Sequence, residues 1–101
     1  MPATLDDIQE WVASAKKKEV QYLVVVTDTY EWEDYPVYCK DLKELSKALN
    51  EYDLKNLQKI TEIYDVTKID DKFNYNPFRG HRYKMLPEGQ TIHTIKSMKF
   101  D

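Results

Sequence analysis

Tyr22-Leu23-Val24-Val25-Val26-Thr27-Asp28-Thr29-Tyr30-Glu31-Trp32-Glu33-Asp34-Tyr35-Pro36-Val37-Tyr38-Cys39 is the stretch that decides the fold. Its first part crowds β-branched and aromatic residues together, with neither helical spacing nor alternation. Such a run is expected of a strand covered on both faces or paired on both edges. Tyr30 to Tyr35 interleaves aromatics with acids and reads as a hairpin connection, with Tyr35 to Cys39 as the returning strand. Pro36 has no backbone N–H to donate to a ladder, which assigns the returning strand to a sheet edge.

The flanking segments supply the layers. Leu5 to Lys17 reads as a helix, with Thr4 as N-cap and Asp7 three residues on. Leu5, Ile8, Val12 and Ala15 form its apolar stripe, and Trp11 lies on the flank. A second helix starts at Asp41, with Glu44 at its third position and Leu42, Leu45, Ala48, Leu49 and Tyr52 on one stripe. Asp53-Leu54-Lys55-Asn56 ends it. Leu57 to Thr67 is dense in β-branched residues and predicts a third strand. Strand, hairpin, crossover helix and strand then place the first strand in the centre, in the order 2-1-3.

Residues 69–81 mix turn formers with aromatics and show no clean period. Beyond them, Arg82 to Leu86 and Thr91 to Phe100 flank Pro87-Glu88-Gly89-Gln90 and predict a terminal hairpin. The expected fold is therefore α+β over a single domain, residues 1–101. It has a largely antiparallel sheet of four to five strands and two helices on one face.

Composition narrows the function classes. The chain has 101 residues, 42% hydrophobic and 13% aromatic, enough for one core and too rich for a disordered tail. No apolar run approaches the roughly 20 residues of a membrane span. The acidic start Pro2-Ala3-Thr4-Leu5-Asp6-Asp7 lacks the pattern of a secretory signal. With one cysteine, Cys39, no internal disulfide can form, and the expected compartment is a reducing cytoplasm. Charge is unevenly spread. Residues 1–65 hold 8 Lys/Arg against 14 Asp/Glu, and residues 66–101 hold 7 against 4.

Two clusters are candidates for recognition. In Tyr30, Glu31, Trp32, Glu33, Asp34 and Tyr35, rigid aromatic area is set among acids, a combination suited to a basic groove on another protein. The bland reading of these acids is a solvated tip that keeps an edge from mispairing. The second cluster is Phe73, Tyr75, Phe78, Arg79, His81 and Arg82, within the aromatic-basic segment 73–84. Its basic groups suit phosphates and its rings suit unpaired bases, although a sequence pI near 5.4 argues against a dedicated nucleic-acid binder.

Catalysis finds little support. His81 and His93 are the only histidines. With Cys39 they are too few and too scattered for a zinc site, and Cys39 in an edge strand reads as a small buried residue. Gly80 and Gly89 are the only glycines, so no phosphate-binding loop exists. For acid–base work a pair such as Asp28 and Glu62, on neighbouring strands, is available, but nothing in the sequence selects it. The expectation is a non-enzyme with no cofactor and no metal.

The segment Tyr22 to Tyr38, followed by a short helix, resembles small uncharacterised α/β proteins encoded by bacteriophages and prophages. The resemblance spans the middle of the chain and implies binding and blocking of a host protein, including defence systems such as CRISPR effectors, in the host cytosol. It carries over no site residue. The leading expectation is a protein-binding module, with an unidentified host protein as partner. Single-stranded nucleic-acid binding is the second reading. A monomer and a homodimer both fit, since Pro36 and Thr91 to Phe100 mark edges that are either capped or paired.

Overall fold

A computed structural model of the chain describes residues 3–75 and 83–100. Helix α1 spans Leu5–Lys17, strands β1 and β2 span Tyr22–Asp28 and Glu33–Cys39, helix α2 spans Leu42–Tyr52, and strand β3 spans Gln58–Asp65. A 3-10 turn, Val66–Lys68, follows, and a short helix α3 covers Ile92–Lys96.

Among the described residues the sheet has three antiparallel strands in the order β2-β1-β3. Val24 pairs with Val37 on one side and Ile63 on the other, so both edges of β1 are used. Val25 faces Pro36 on the outer strand, where a missing N–H is tolerated. On the β3 side the register shifts between Val25 and Val26, which face Glu62 and Ile60. The extra residue, Thr61, turns its hydroxyl to the Val25 carbonyl at 3.1 Å, which satisfies a backbone group at the bulge.

Tyr22 to Thr27 are all buried because both faces of β1 are covered. Tyr22, Val24 and Val26 pack with Leu45, Ala48 and Leu49 of α2 and Ile95 of α3. Leu23 and Val25 pack with Ile8, Val12 and Ala15 of α1 and with Tyr64, Val66 and Ile69. The expected placement of two helices on one face is thus corrected: α1 lies on one face, α2 and α3 on the other. An unbroken apolar run has side chains pointing both ways, and each set needs its own cover.

The caps fall where the sequence places them. Thr4 Oγ1 accepts from the Asp7 N–H at 3.2 Å while Asp7 Oδ2 accepts from the Thr4 N–H at 2.9 Å. Asp41 Oδ1 accepts from the Glu44 N–H at 3.0 Å. Helix ends otherwise leave such donors without partners.

The C-terminal third departs from expectation, and the described residues form three strands rather than four to five. Tyr83 to Met85 run beside β3 as a single parallel bridge, with the Ile63 N–H donating to the Tyr83 carbonyl at 2.8 Å and the Met85 N–H to the Ile63 carbonyl at 2.9 Å. Thr91 to Phe100 are not a strand. Thr91 caps α3 reciprocally with Thr94, and Ile95 enters the core. The helix end is then clasped by α2. The Ser46 hydroxyl donates to the Ile95 carbonyl at 2.8 Å and the Asn50 amide to the Lys96 carbonyl at 3.1 Å, while Lys96 meets Asp53 at 3.4 Å.

Burial on both faces has a direct consequence. Leu23→Ala is expected to lower the unfolding free energy by about 2–5 kcal/mol, and Val24→Ala by at least about 1.5 kcal/mol. Urea titrations of the two variants check this; a near-neutral result for either would mean that its face is open.

Candidate functional site

At the end of the sheet where Asp28 pairs with both Glu33 and Gln58, two loops come together. One is the β1–β2 connection, residues 29–32; the other is the α2–β3 connection, residues 53–57. The Leu57 carbonyl joins them, accepting from the Thr29 N–H at 2.8 Å and from the Thr29 hydroxyl at 2.7 Å. Asp28 Oδ1 orders the first loop by accepting from the N–H groups of Tyr30 at 2.8 Å and Glu31 at 3.3 Å. This is the Asx turn expected of a carboxylate two residues before the donor.

Four of the five large hydrophobic residues found exposed among the described residues gather at this end. They are Tyr30 at 76%, Trp32 at 59%, Leu54 at 80% and Leu57 at 66% relative exposure. The Lys59 ammonium lies 5.5 Å from the centre of the Trp32 ring, a cation–π distance. Thr29, Leu54, Leu57, Gln58 and Lys59 line a shallow groove of about 260 Å³.

The backbone here is also unusual. Trp32, Leu54, Asn56 and Leu57 have φ of 56°, 58°, 54° and 60°. Asn visits this left-handed region readily, but a side chain with a full Cβ and no local hydrogen bond is disfavoured there by about 1–2 kcal/mol. Two leucines therefore sit in a strained conformation with their side chains in water. The Leu57 backbone serves the fold through its carbonyl, but neither leucine side chain joins the core.

The expected site residues divide. Tyr30, Glu31, Trp32 and Glu33 are exposed together at the tip. Asp34 and Tyr35, expected to join them, serve the fold instead. Asp34 accepts from the Thr27 hydroxyl at 2.5 Å and from the Ala3 N–H at 2.9 Å, tying the hairpin to the segment before α1. Tyr35 packs edge-on to Tyr52 at 6.4 Å, and its hydroxyl is hydrogen-bonded to the Gln58 amide. Side-chain alternation explains the split, because once the strand begins at Glu33 successive residues face opposite sides.

The second cluster fares differently. Phe78, Arg79, His81 and Arg82 lie outside the described residues. Phe73 and Tyr75 are half-buried against the α1-side core, with ring centres 4.8 Å apart. Tyr83 lies 5.5 Å from Phe73 and 5.4 Å from Tyr64. Burial raises the Tyr75 pKa, with Tyr83 adding to it. Both rings are engaged with neighbouring rings rather than offered as stacking platforms.

For the chemistry weighed from sequence, Asp28 and Glu62 are not brought together. Glu62 is fully buried on the Val25 face, bonded by the Tyr64 hydroxyl at 2.6 Å, whereas Asp28 shares the alternate face with Val24 and Val26. His93 is exposed on α3. Among the described residues no group of three or more His, Cys, Asp or Glu is placed to hold a metal ion. Burial pushes the Cys39 thiol up to about 12, with the Glu44 and Asp41 carboxylates adding to the shift. A thiol in that state is not a nucleophile at neutral pH.

Leu54, Leu57 and Lys59 are not among the residues that the sequence marks for contact. The only signal was a pair of leucines flanking Lys55-Asn56, just past the last residue of the α2 stripe. Comparison with protein-family models, curated proteins and solved structures finds no match to this chain.

Cys39 yields a pH prediction. Its pKa is raised on folding, so the unfolded chain loses the proton first. Stability is then complete below the usual thiol value near 9 and falls as pH rises toward about 12, by up to about 1.4 kcal/mol per unit for one group. Tyr22 and Tyr35, also raised by burial, act in the same direction. Denaturation midpoints above pH 9 should drop more steeply in the parent than in Cys39→Ala; equal slopes would contradict the assignment.

Proposed function

We propose that this chain is a non-catalytic protein-binding module. It docks through the end of the sheet that carries Tyr30, Trp32, Leu54 and Leu57. The supporting observation is that two leucine side chains stand exposed on strained backbone without joining the core, at the same end of the sheet as an exposed indole. Outliers of this kind collect at ligand clamps and binding loops, where contact with another molecule offsets the local cost. Trp and Tyr give large rigid contact area with little rotamer entropy to lose.

The partner's chemistry follows from the rim. Asp28 and Asp34 spend their carboxylates on the fold, leaving Glu31 and Glu33 on exposed positions beside the indole. An apolar groove on another protein, edged by lysine or arginine, is the complementary surface. Inhibition or modulation of a host protein by a phage-encoded chain is the narrower form of this proposal, and it rests on the resemblance of residues 22–38 alone.

The test is affinity capture from the native cell, repeated with a variant. Trp32→Ala should retain the fold and weaken the captured partner by at least about 2 kcal/mol, roughly 30-fold. Equal capture by the parent and Trp32→Ala would overturn the proposal.

A further inference from the structure

The opposite end of the sheet carries the reverse of the tip's character. There α1 ends in Lys16, Lys17 and its cap Lys18, and β2 runs out to Lys40. Between them lies an open pocket of about 320 Å³, lined by Lys16, Lys40, Gln21 and Thr67 around an apolar floor of Val20 and Val66. Glu19 is the one acid among the lining residues, set against two lysines. Strand β1 separates pocket from tip by seven residues, about 20 Å at the rise of an extended strand.

One end thus exposes an indole and a tyrosine beside Glu31 and Glu33, with Lys59 over the indole; the other is an open pocket with Val20 and Val66 between Lys16 and Lys40. We infer that a second copy of this chain seats its Trp32 tip in this pocket. This rests on the reading of the tip as a docking surface and names an occupant for the opposite pole. Charge complementarity sets the orientation, with each glutamate facing a lysine, while the indole is covered by the two valines. Donor and acceptor lie on opposite poles of the same molecule, so the contact is head-to-tail. Two copies cannot satisfy both poles in a closed pair, so association continues past the dimer. A tip and a shallow pocket bury far less than a standard interface, so association is weak and salt-sensitive.

The chain has two tryptophans, Trp11 and Trp32, so Trp11→Phe leaves the tip as the sole indole reporter. Sedimentation equilibrium of this protein, run from about 10 μM to about 1 mM, should show a weight-average mass that climbs past the dimer without a plateau. Trp32 emission should shift to the blue in step, and about 0.5 M salt should reverse both. Lys16→Glu/Lys40→Glu and Glu31→Lys/Glu33→Lys should each stay monomeric, and an equimolar mixture should regain association because each tip then meets a pocket of opposite charge. Circular dichroism verifies that the variants fold, and Lys16→Gln/Lys40→Gln, which should weaken association, replaces the reversed pair if that one does not. A monomer at every concentration, a plateau at the dimer, indifference to the charge reversals, or a mixture that stays monomeric would each overturn the inference. If the protein stays monomeric yet Trp32→Ala still loses a captured partner, only this inference falls and the binding-module reading stands.

Discussion

Strand β1 is enclosed on four sides, and the rest of the molecule is arranged to enclose it. Tyr22 to Val26 present apolar side chains to both faces, so one helical layer is insufficient. Helix α1 covers Leu23 and Val25, while α2 and α3 cover Val24 and Val26. Both backbone edges of β1 are taken by antiparallel neighbours. That leaves two outer strands, one carrying Pro36 and the other receiving the bridge at Lys84. With the faces committed to the core, the ends of the sheet are where loops meet solvent.

The two ends are built differently. At the tip, the Leu57 carbonyl and the Asp28 carboxylate fix two loops by hydrogen bonds to backbone and hydroxyl groups. Polar groups thereby hold the scaffold while Tyr30, Trp32, Leu54 and Leu57 remain outside it. A soluble domain exposes single apolar side chains routinely. Several together, three of them in left-handed backbone, are what distinguishes this surface. The lysine-rich end has the ordinary logic of a helix C-terminus, where positive charge meets the negative end of the dipole.

Much of this was legible in the residues. The central strand, the order 2-1-3, both long helices and their caps follow from periodicity, β-branching and capping chemistry, all local properties. Helix α3 was not legible, because Ile92 and Ile95 among threonines look strand-like. Its stability comes from Ser46 and Asn50, some 45 to 50 positions away in sequence. The expectation of both helices on one face failed because an unbroken apolar run points side chains both ways, and each set needs its own cover. At the candidate site, Trp32 and Tyr30 were readable as exposed aromatics on a turn. Asp34 and Tyr35 were misplaced because the strand begins at Glu33, two residues earlier than expected. Leu54 and Leu57 escaped because leucine carries no signal for positive φ; the loop imposes it.

The central claim is that the side chains at the tip serve contact with another molecule rather than the fold, and Leu57 tests it most directly. Equilibrium urea denaturation of Leu57→Gly relieves the left-handed strain at the cost of some unfolded-state entropy. The account predicts a net gain in unfolding free energy of about 0.5–1 kcal/mol. A loss of stability would show that Leu57 is held in place by packing that benefits the domain itself, and the claim would fail.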